Sequence, residues 1–325
     1  RIHEYSAVET TNTVDTTDLL GTICRHSAQW RDVVLSIPLV ALSRLPIHGA
    51  LPLLEKLGIG SGGFEPPLEH LMPVTAFRDA PLLREVQLFL DDMGQVKPNT
   101  ILLPWEQLTS FTGSLFSTTE SLYILLQASS LSECTFLDCW ESLEASEGVK
   151  LELPLLKTLR LGGPFFPPAG NLEGSTHFAL ETLRSFVLRS MCPLREVHLS
   201  AVRMSFEPLL RCLGAMHTLE ILEIRHLWDA AILRGLHASR EILPRLRSLI
   251  FNDPKIFPIP YDDMISVLFS RSQTQDNGGS VQLERFSFTT SLHTPLPDVL
   301  ILDRLKVVAQ KGMNIHLGPS EDSWV

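Results

Sequence analysis

Residues 153–161 read Leu153-Pro154-Leu155-Leu156-Lys157-Thr158-Leu159-Arg160-Leu161. Within this stretch, Leu156, Leu159 and Leu161 follow a simple order: an apolar residue, two others, an apolar residue, one other, an apolar residue. The last two leucines lie two positions apart, so on a strand both side chains face the same side. The stretch therefore predicts a short strand with one apolar face.

The same pattern recurs along the chain at spacings of 23 to 38 residues. Clear copies begin at Leu54, Leu83, Leu156, Leu194, Leu219, Leu246 and Leu283, and weaker copies at Trp30, Leu108, Leu131 and Gly312. Most spacings fall within the about 20 to 29 residues of leucine-rich repeats. Such a strand cannot bury its apolar side alone, and parallel neighbours need a crossover that is usually helical.

We therefore expect an α/β fold, a right-handed leucine-rich-repeat solenoid over residues 17–318. About eleven parallel strands would lie on the concave face, with helices and irregular turns on the convex face. Residues 1–16 would be a flexible N-terminal segment, and residues 319–325 a C-terminal tail.

Proline and helix signals refine this prediction. Proline precedes many copies of the pattern and suits the residue that enters a strand. Crossover helices are expected at 121–129, 206–216 and 262–271, the last with Asp262-Asp263 as its N-terminal cap. Residues 183–188 also fit the strand pattern, but they lie only 11 residues before Leu194, which favours a helix over 177–191. Candidate binding loops are 162–175, 252–261 and 272–280.

Composition supports a globular protein and excludes several classes. The chain has 325 residues, of which 57 are leucine, 44% are hydrophobic and 20% are charged, with a net charge of −10. The acidic balance argues against nucleic acid as a partner. Apolar stretches such as Val33–Leu45 are broken by polar residues and proline, so no membrane span is expected. The five cysteines are scattered and predict reduced core thiols, which suits a cytoplasmic or nuclear protein.

Four segments resemble large fungal (basidiomycete-type) F-box/leucine-rich-repeat proteins. Residues 26–35 (HSAQWRDVVL) are similar to the segment that follows the F-box in that family, and 103–109 (LPWEQLT) to the start of a mid-solenoid repeat. Residues 153–161 resemble one of its repeats, and 305–315 its closing helix and strand. The sequence departs from the family three residues after the last strand leucine, where Asn or Cys is usual and only Cys139 fits. That departure predicts an irregular solenoid.

The resemblance implies a protein-interaction module, the substrate-recognition region of an F-box protein in a ubiquitin-ligase complex. Residues 1–16 are too short and too rich in threonine to form an F-box. We therefore expect the adaptor and cullin to bind only through an F-box upstream of Arg1. The alternative is a leucine-rich-repeat scaffold or binding protein unrelated to ubiquitin.

Side chains that alternate with the core residues of each strand should line the concave face. Their charges balance, with four cations and four anions, which favours a protein partner on this face or on the rim loops over a polyionic ligand. The residues that we expect to contact this partner are Lys56, Glu85, Gln87, Glu133, Arg160, Glu196, His198, Glu223, Arg225 and Arg285.

Motifs for catalysis, cofactors and metals are absent from the sequence. It contains neither a phosphate-binding G-x-x-x-x-G-K-[ST] loop nor a nucleophilic G-x-S-x-G turn. Cys134 and Cys139 have no second pair at zinc spacing, and Asp91-Asp92 is typical of a turn. We therefore predict a protein that is not an enzyme and that has no cofactor and no metal site.

Overall fold

The computed structural model describes residues 16–47, 49–61, 72–90, 100–137, 152–162, 183–190, 192–200, 206–226, 229–252, 259–272, 281–290, 297–319 and 323. These residues form an α/β fold of helices and parallel strands. The chain divides into two compact units, Arg1–Leu155 (unit 1) and Leu156–Val325 (unit 2). No helix in the described ranges has the length and apolar character needed to cross a bilayer.

The described part of unit 1 contains five parallel strands that pair in chain order. They are β1 (Asp32–Ser36), β2 (Lys56–Ser61), β3 (Glu85–Leu90), β4 (Ser110–Ser114) and β5 (Glu133–Leu137). The helices are α1 (Thr16–Cys24), α2 (Leu39–Ser43) and α3 (Thr118–Gln127), with short 3-10 helices at Ser27–Gln29 and Trp105–Gln107.

The described part of unit 2 contains six parallel strands, again paired in chain order. They are β6 (Thr158–Gly162), β7 (Glu196–Ser200), β8 (Ile221–Arg225), β9 (Ser248–Asn252), β10 (Arg285–Thr289) and β11 (Asn314–Gly318). The helices are α4 (residues 183–190), α5 (Phe206–Gly214), α6 (Ala231–Ala238), α7 (Tyr261–Arg271) and α8 (Val299–Ala309).

The predicted strand positions are confirmed for all eleven copies of the pattern. Each strand begins two residues after the first apolar residue of its copy. In most strands the second and fourth residues carry the core side chains, as Leu57 and Ile59 do in β2 and Leu222 and Ile224 in β8, each at most 5% exposed. Since strand residues alternate sides, the first, third and fifth residues face away from this core.

The first apolar residue of many copies ends a tight turn. The amide N–H of Leu54 donates to the carbonyl of Leu51, and equivalent bonds end at Leu83, Leu108, Leu131, Leu219 and Leu246. Pro52 therefore occupies the second position of its turn, where a fixed φ near −65° is favourable. Pro81 and Pro244 do the same, so these prolines lie in the turn before the strand rather than at the strand's first residue.

One carbonyl before most of the strands accepts two hydrogen bonds from the next repeat. The carbonyl of Arg31 accepts from the amides of Glu55 and Lys56, at 2.8 and 2.9 Å. In unit 2 the carbonyl of Arg195 accepts in the same way from Glu220 and Ile221. The shared carbonyl fixes the register of neighbouring strands, so side chains at equal positions stand side by side.

The predicted crossover helices are largely confirmed. Helices α5 and α7 agree with the expected ranges, and residues 183–190 are helical rather than extended. Helix α3 begins three residues earlier than expected, because Ser117 and Glu120 form a reciprocal capping box. The expected cap at Asp262-Asp263 was wrong: Pro260 precedes α7, and both aspartates lie in the first turn, where they still favour the helix dipole.

Helix α6, which the sequence pattern did not predict, is tied to α7 by a buried arginine. The Arg271 side chain donates to the backbone carbonyls of Leu236, Ser239, Ile242 and Leu243, at 2.8 to 3.4 Å. Burial lowers the pKa of Arg271 to about 10, so its guanidinium stays charged at neutral pH. Carbonyls at the end of α6 suit a cation because the C-terminus of a helix carries partial negative charge.

Several predictions lie outside the described residues. They concern most of the N-terminal segment 1–16, most of the C-terminal tail, most of the three candidate loops, the Asp91-Asp92 turn and Cys139.

Candidate functional site

The strand face consists of the side chains at the first, third and fifth positions of each strand. All ten predicted contact residues occupy such positions. First positions hold Lys56, Glu85, Glu133, Glu196 and Arg285; third positions hold Gln87, Arg160, His198 and Glu223; the fifth position of β8 holds Arg225. Whether they bind a partner stays a prediction, but their placement shows which of them stand together.

In unit 1 the predicted residues form one simple ion pair. Lys56 Nζ lies 2.7 Å from Glu85 Oε2, and both side chains are nearly half exposed, at 49% and 42%. Hydrogen bonding to Glu85 raises the pKa of Lys56. Gln87 and Glu133 are not buried either, and Glu133 stands one strand beyond Ser110. Exposed pairs of this kind contribute little to stability, so these groups are available to a partner.

The unit 1 face also has apolar and glycine positions outside the set of predicted contact residues. Gly58 and Gly60 occupy the third and fifth positions of β2, and the adjacent strands carry Val34 and Phe89, which are 43% and 38% exposed. Val34 leans over Gly58, where an added Cβ would lie 3.1 Å from Val34 Cγ2. Both apolar residues lie at face positions of their strands, a signal that counting charges alone ignored.

In unit 2 three of the predicted residues, Glu223, His198 and Arg225, come together with Asn252, and Glu196 lies next to His198. The Glu223 carboxylate lies between two neighbouring strands, with Oε2 2.7 Å from His198 Nδ1 on β7. Its other oxygen, Oε1, accepts from Arg225 Nε at 2.7 Å and from Asn252 Nδ2 on β9, also at 2.7 Å. Register explains the arrangement, because His198 pairs with Glu223, and Arg225 with Asn252.

The surroundings of Glu223 keep its carboxylate ionised. The hydrogen bond from His198 is the largest cause, and with Arg225 and Asn252 it lowers the pKa of Glu223 from 4.5 to about 2, against the opposing effect of burial. A carboxylate can only accept, so the proton of the short bond to His198 sits on Nδ1. Glu223 is thus an anion at neutral pH, bound by three donors.

Burial distinguishes Glu223 from the other predicted contact residues. Its side chain is only 10% exposed, whereas that of Arg225 is 58% exposed. Glu223 lies at a face position, as expected, but little of it can touch a partner. Asn252, which completes the cluster, was expected to begin a loop; its position at the end of β9, beside Arg225, is the signal that could have found it.

His198 presents its second nitrogen to another carboxylate. Nε2 lies 3.8 Å from Glu196 Oε2 and has no hydrogen-bond partner among the described residues. A histidine oriented by a carboxylate on Nδ1 can serve as a general base when a nucleophile lies at Nε2. Here the Glu196 carboxylate lies nearest to Nε2, and an ionised carboxylate has no proton for His198 to remove.

The remaining predicted residues of unit 2 stand apart from this cluster. Arg160 on β6 lies beside His198 of the neighbouring strand β7. Arg285 lies at the first position of β10, and both arginines are exposed. The third positions of β9 and β10 carry an apolar and a small side chain, those of Ile250 and Ser287. Ser287 is buried, which shows that not every face position is accessible.

Neither a metal site nor reactive thiols emerge in the described ranges. No group of three His, Cys, Asp or Glu side chains there could hold a metal ion. Cys24, Cys134, Cys192 and Cys212 are buried, as expected of core residues. Burial raises the pKa of Cys24 and Cys192, which lowers the fraction of reactive thiolate.

No model of a protein family matches this chain, and a search of the curated proteins finds no match either.

Proposed function

We propose that this chain is a leucine-rich-repeat protein-interaction module, the substrate-recognition region of an F-box protein in a ubiquitin-ligase complex. In this proposal the strands form the concave side of a right-handed solenoid. The strand face and rim loops hold a target protein, while an F-box positions it through the adaptor and cullin.

The repeated unit of turn, buried leucine and strand carries the leucine-rich-repeat assignment. The same turn bond, the same shared carbonyl and the same two core positions recur in both units at the predicted spacing. Repeats of this length with parallel strands are typical of leucine-rich-repeat proteins. A protein of this class uses its strand face for binding because the helices cover the other side.

The chemistry of the strand face supports a protein partner. The face carries both cations and anions, and exposed apolar residues such as Val34 and Phe89 stand among them. Interfaces between proteins combine this mixture, with arginine and aromatic residues as frequent anchors. The ubiquitin part of the proposal is supported by the resemblance of residues 26–35 to the segment that follows an F-box.

Co-purification tests the ubiquitin part. The full-length gene product is co-expressed with the cullin adaptor of its own organism and analysed by gel filtration. We expect a stoichiometric complex with the adaptor. If the two proteins elute apart, the link to ubiquitin fails and the scaffold alternative replaces it.

Charge reversal tests the interaction face. We expect the wild-type chain to capture a specific protein, identified by crosslinking and mass spectrometry, that is lost with Arg160→Glu/Arg285→Glu. The control is Arg304→Glu on α8, whose side chain is 50% exposed but lies on a helix. All variants should keep the wild-type circular dichroism. Capture that survives the double reversal, or is lost equally with the control, contradicts binding by this face.

A further inference from the structure

The accessible charge of the unit 2 strand face is mainly positive. Arg160 and Arg285 are exposed, and the Arg225 side chain is 58% exposed. Of the two glutamates, Glu196 is 37% exposed and Glu223 only 10%. A partner that approaches this face therefore meets three guanidinium groups and one accessible carboxylate, which favours an acidic segment.

Arg225 is held in a way that leaves its binding edge open. Its Nε donates to Glu223 Oε1 at 2.7 Å. In the part of the chain that the structure describes, its terminal nitrogens have no hydrogen-bond partner. A guanidinium fixed through one nitrogen loses less conformational freedom on binding, and its planar fork matches a carboxylate with two parallel hydrogen bonds.

Glu223 can fix Arg225 because it is itself fixed. Asn252 donates to the oxygen that Arg225 uses, and His198 binds the other oxygen. With both oxygens engaged and the side chain almost buried, the carboxylate has no freedom to rotate. Its ionised state also keeps the bond to Arg225 charge-assisted.

We propose that Arg225 binds a carboxylate of an acidic, extended segment in the partner protein, and that Glu223 is a positioning residue that makes no contact with the partner. The proposal deepens the proposed function, because it rests on the strand face being the binding surface. It assigns opposite roles to two charged residues that the sequence pattern treats alike.

Arg160 gives the segment a second point of attachment. It lies two strands and two residues away from Arg225, which puts the two Cα atoms roughly 12 Å apart at ordinary strand spacing. Residues four apart in an extended peptide span about 13 Å. The segment that fits therefore carries acidic residues at positions i and i+4.

A synthetic peptide tests the site directly. The probe is acetyl-Glu-Ser-Ala-Ser-Glu-amide with a fluorescent label, and its binding is followed by anisotropy at low ionic strength, where charge pairing is least screened. We expect the wild-type chain to bind it and Arg225→Ala to weaken binding about ten-fold or more. Arg225→Lys should recover little, because lysine keeps the charge but not the planar fork.

Glu223→Gln separates positioning from simple charge. If Glu223 acted only through its negative charge, its neutralisation would strengthen the binding of an acidic peptide. Positioning predicts the opposite, a several-fold loss, since Arg225 is no longer held. The side-chain Nε–H signal of Arg225 in nuclear magnetic resonance should exchange faster in this variant. Unchanged or tighter peptide binding contradicts the positioning role.

Controls define the remaining outcomes. Arg285→Ala removes a cation from the same face outside the cluster and should change peptide affinity less than three-fold; an effect equal to that of Arg225→Ala contradicts a defined site. Equal binding of the matching peptide with lysine at both ends, or at least ten-fold tighter binding of one with phosphoserine, overturns the carboxylate assignment. If Arg160→Glu/Arg285→Glu abolishes protein capture while Arg225→Ala leaves peptide binding unchanged, the proposed function stands and this inference fails.

Discussion

The strand faces of units 1 and 2 follow the same alternation of core and face positions, each within its own strands, and differ in what they offer a partner. In unit 1, Lys56 and Glu85 pair with nearly half of each side chain exposed. In unit 2, Glu223 is 10% exposed and bound by three donors. The comparison teaches that register decides which way a side chain points, whereas the neighbouring strands decide whether it remains accessible.

The neighbours of the two glutamates account for the difference. Glu85 stands between Lys56 and Ser110, so one long donor reaches it and the other side stays open to solvent. Glu223 has His198 on one side and Asn252 near it on the other, with Arg225 two residues along its own strand. Donors from three strands converge on one carboxylate and displace the water that would otherwise solvate it.

The buried core positions of the two units should not differ in this way. Substitutions at these positions should have the largest effect on stability. Leu57→Asp in unit 1 and Leu159→Asp in unit 2 each place an unpaired charge where the leucine is at most 2% exposed. Burying such a charge costs several kcal/mol, enough to unfold the surrounding repeats. Urea unfolding followed by circular dichroism should show both losses.

Arg160→Ala, one residue from Leu159 but on the strand face, is the control and should leave the free energy of unfolding within about 0.5 kcal/mol of wild type. Comparable losses for Leu159→Asp and Arg160→Ala would contradict the register of β6.

The strand positions were predictable because two residues per strand decide them. Apolar side chains two apart have only one way to share a buried face, so even the weak copies at Trp30 and Gly312 placed β1 and β11 correctly. Helix starts were less predictable, since a cap depends on which side chain reaches a free amide. Ser117 does so for α3, whereas Asp262 does not for α7.

The candidate site was predictable only as a list of face positions. Sequence reasoning placed His198, Glu223 and Arg225 on one face, but their convergence depends on pairing between strands 25 residues or more apart, as the 2.7 Å bond from His198 to Glu223 shows. Asn252 was missed because it is the last residue of β9 and lies one position beyond the last apolar residue of the repeat pattern. Counting the charges on the face also gave no information about which of them are buried, so the burial of Glu223 was not predicted.

Gly113 is an exception among the core positions of the strands. It occupies a core position of β4 where most other strands carry a large apolar side chain. Phe116 and Phe111 fill that space, and an added Cβ would lie 2.5 Å from Phe116 Cε2 and 2.8 Å from Phe111 Cε1. Gly113→Ala makes the sequence pattern more regular, yet we expect it to lower the free energy of unfolding by about 3 kcal/mol through overpacking.

Gly60→Ala is the matched change on the strand face of the same unit. The nearest atom to its added Cβ is Ser36 Oγ at 3.6 Å, an ordinary contact. Thermal unfolding should show this variant at least as stable as wild type, because alanine loses less backbone entropy than glycine. A stabilising Gly113→Ala would mean that the phenylalanine rings do not fill the core at β4.

Glu223→Gln should have an intermediate effect that depends on pH. The pKa of Glu223 is about 2 in the folded chain and 4.5 in an unperturbed carboxyl, so the carboxylate stabilises the fold above pH 4.5 and stops doing so as the pH falls toward 2. We expect the variant to be about 2 kcal/mol less stable at pH 7, with the difference shrinking toward zero near pH 2. Urea unfolding at pH 7, 5 and 3 measures this; a difference that stays constant with pH contradicts a stabilising role for the ionised Glu223 carboxylate.

Breaking the ion pair of unit 1 should have the smallest effect. Lys56→Ala and Glu85→Ala, combined in a double-mutant cycle, should give a coupling energy close to zero that vanishes at high salt, because both partners remain solvated and screened. The same cycle on Arg225 and Glu223 should give about 1 kcal/mol or more and persist in salt, since the Glu223 carboxylate is largely shielded from water. Equal couplings for the two pairs would mean that burial does not separate the two faces, and Arg225 would then be as mobile as any exposed arginine.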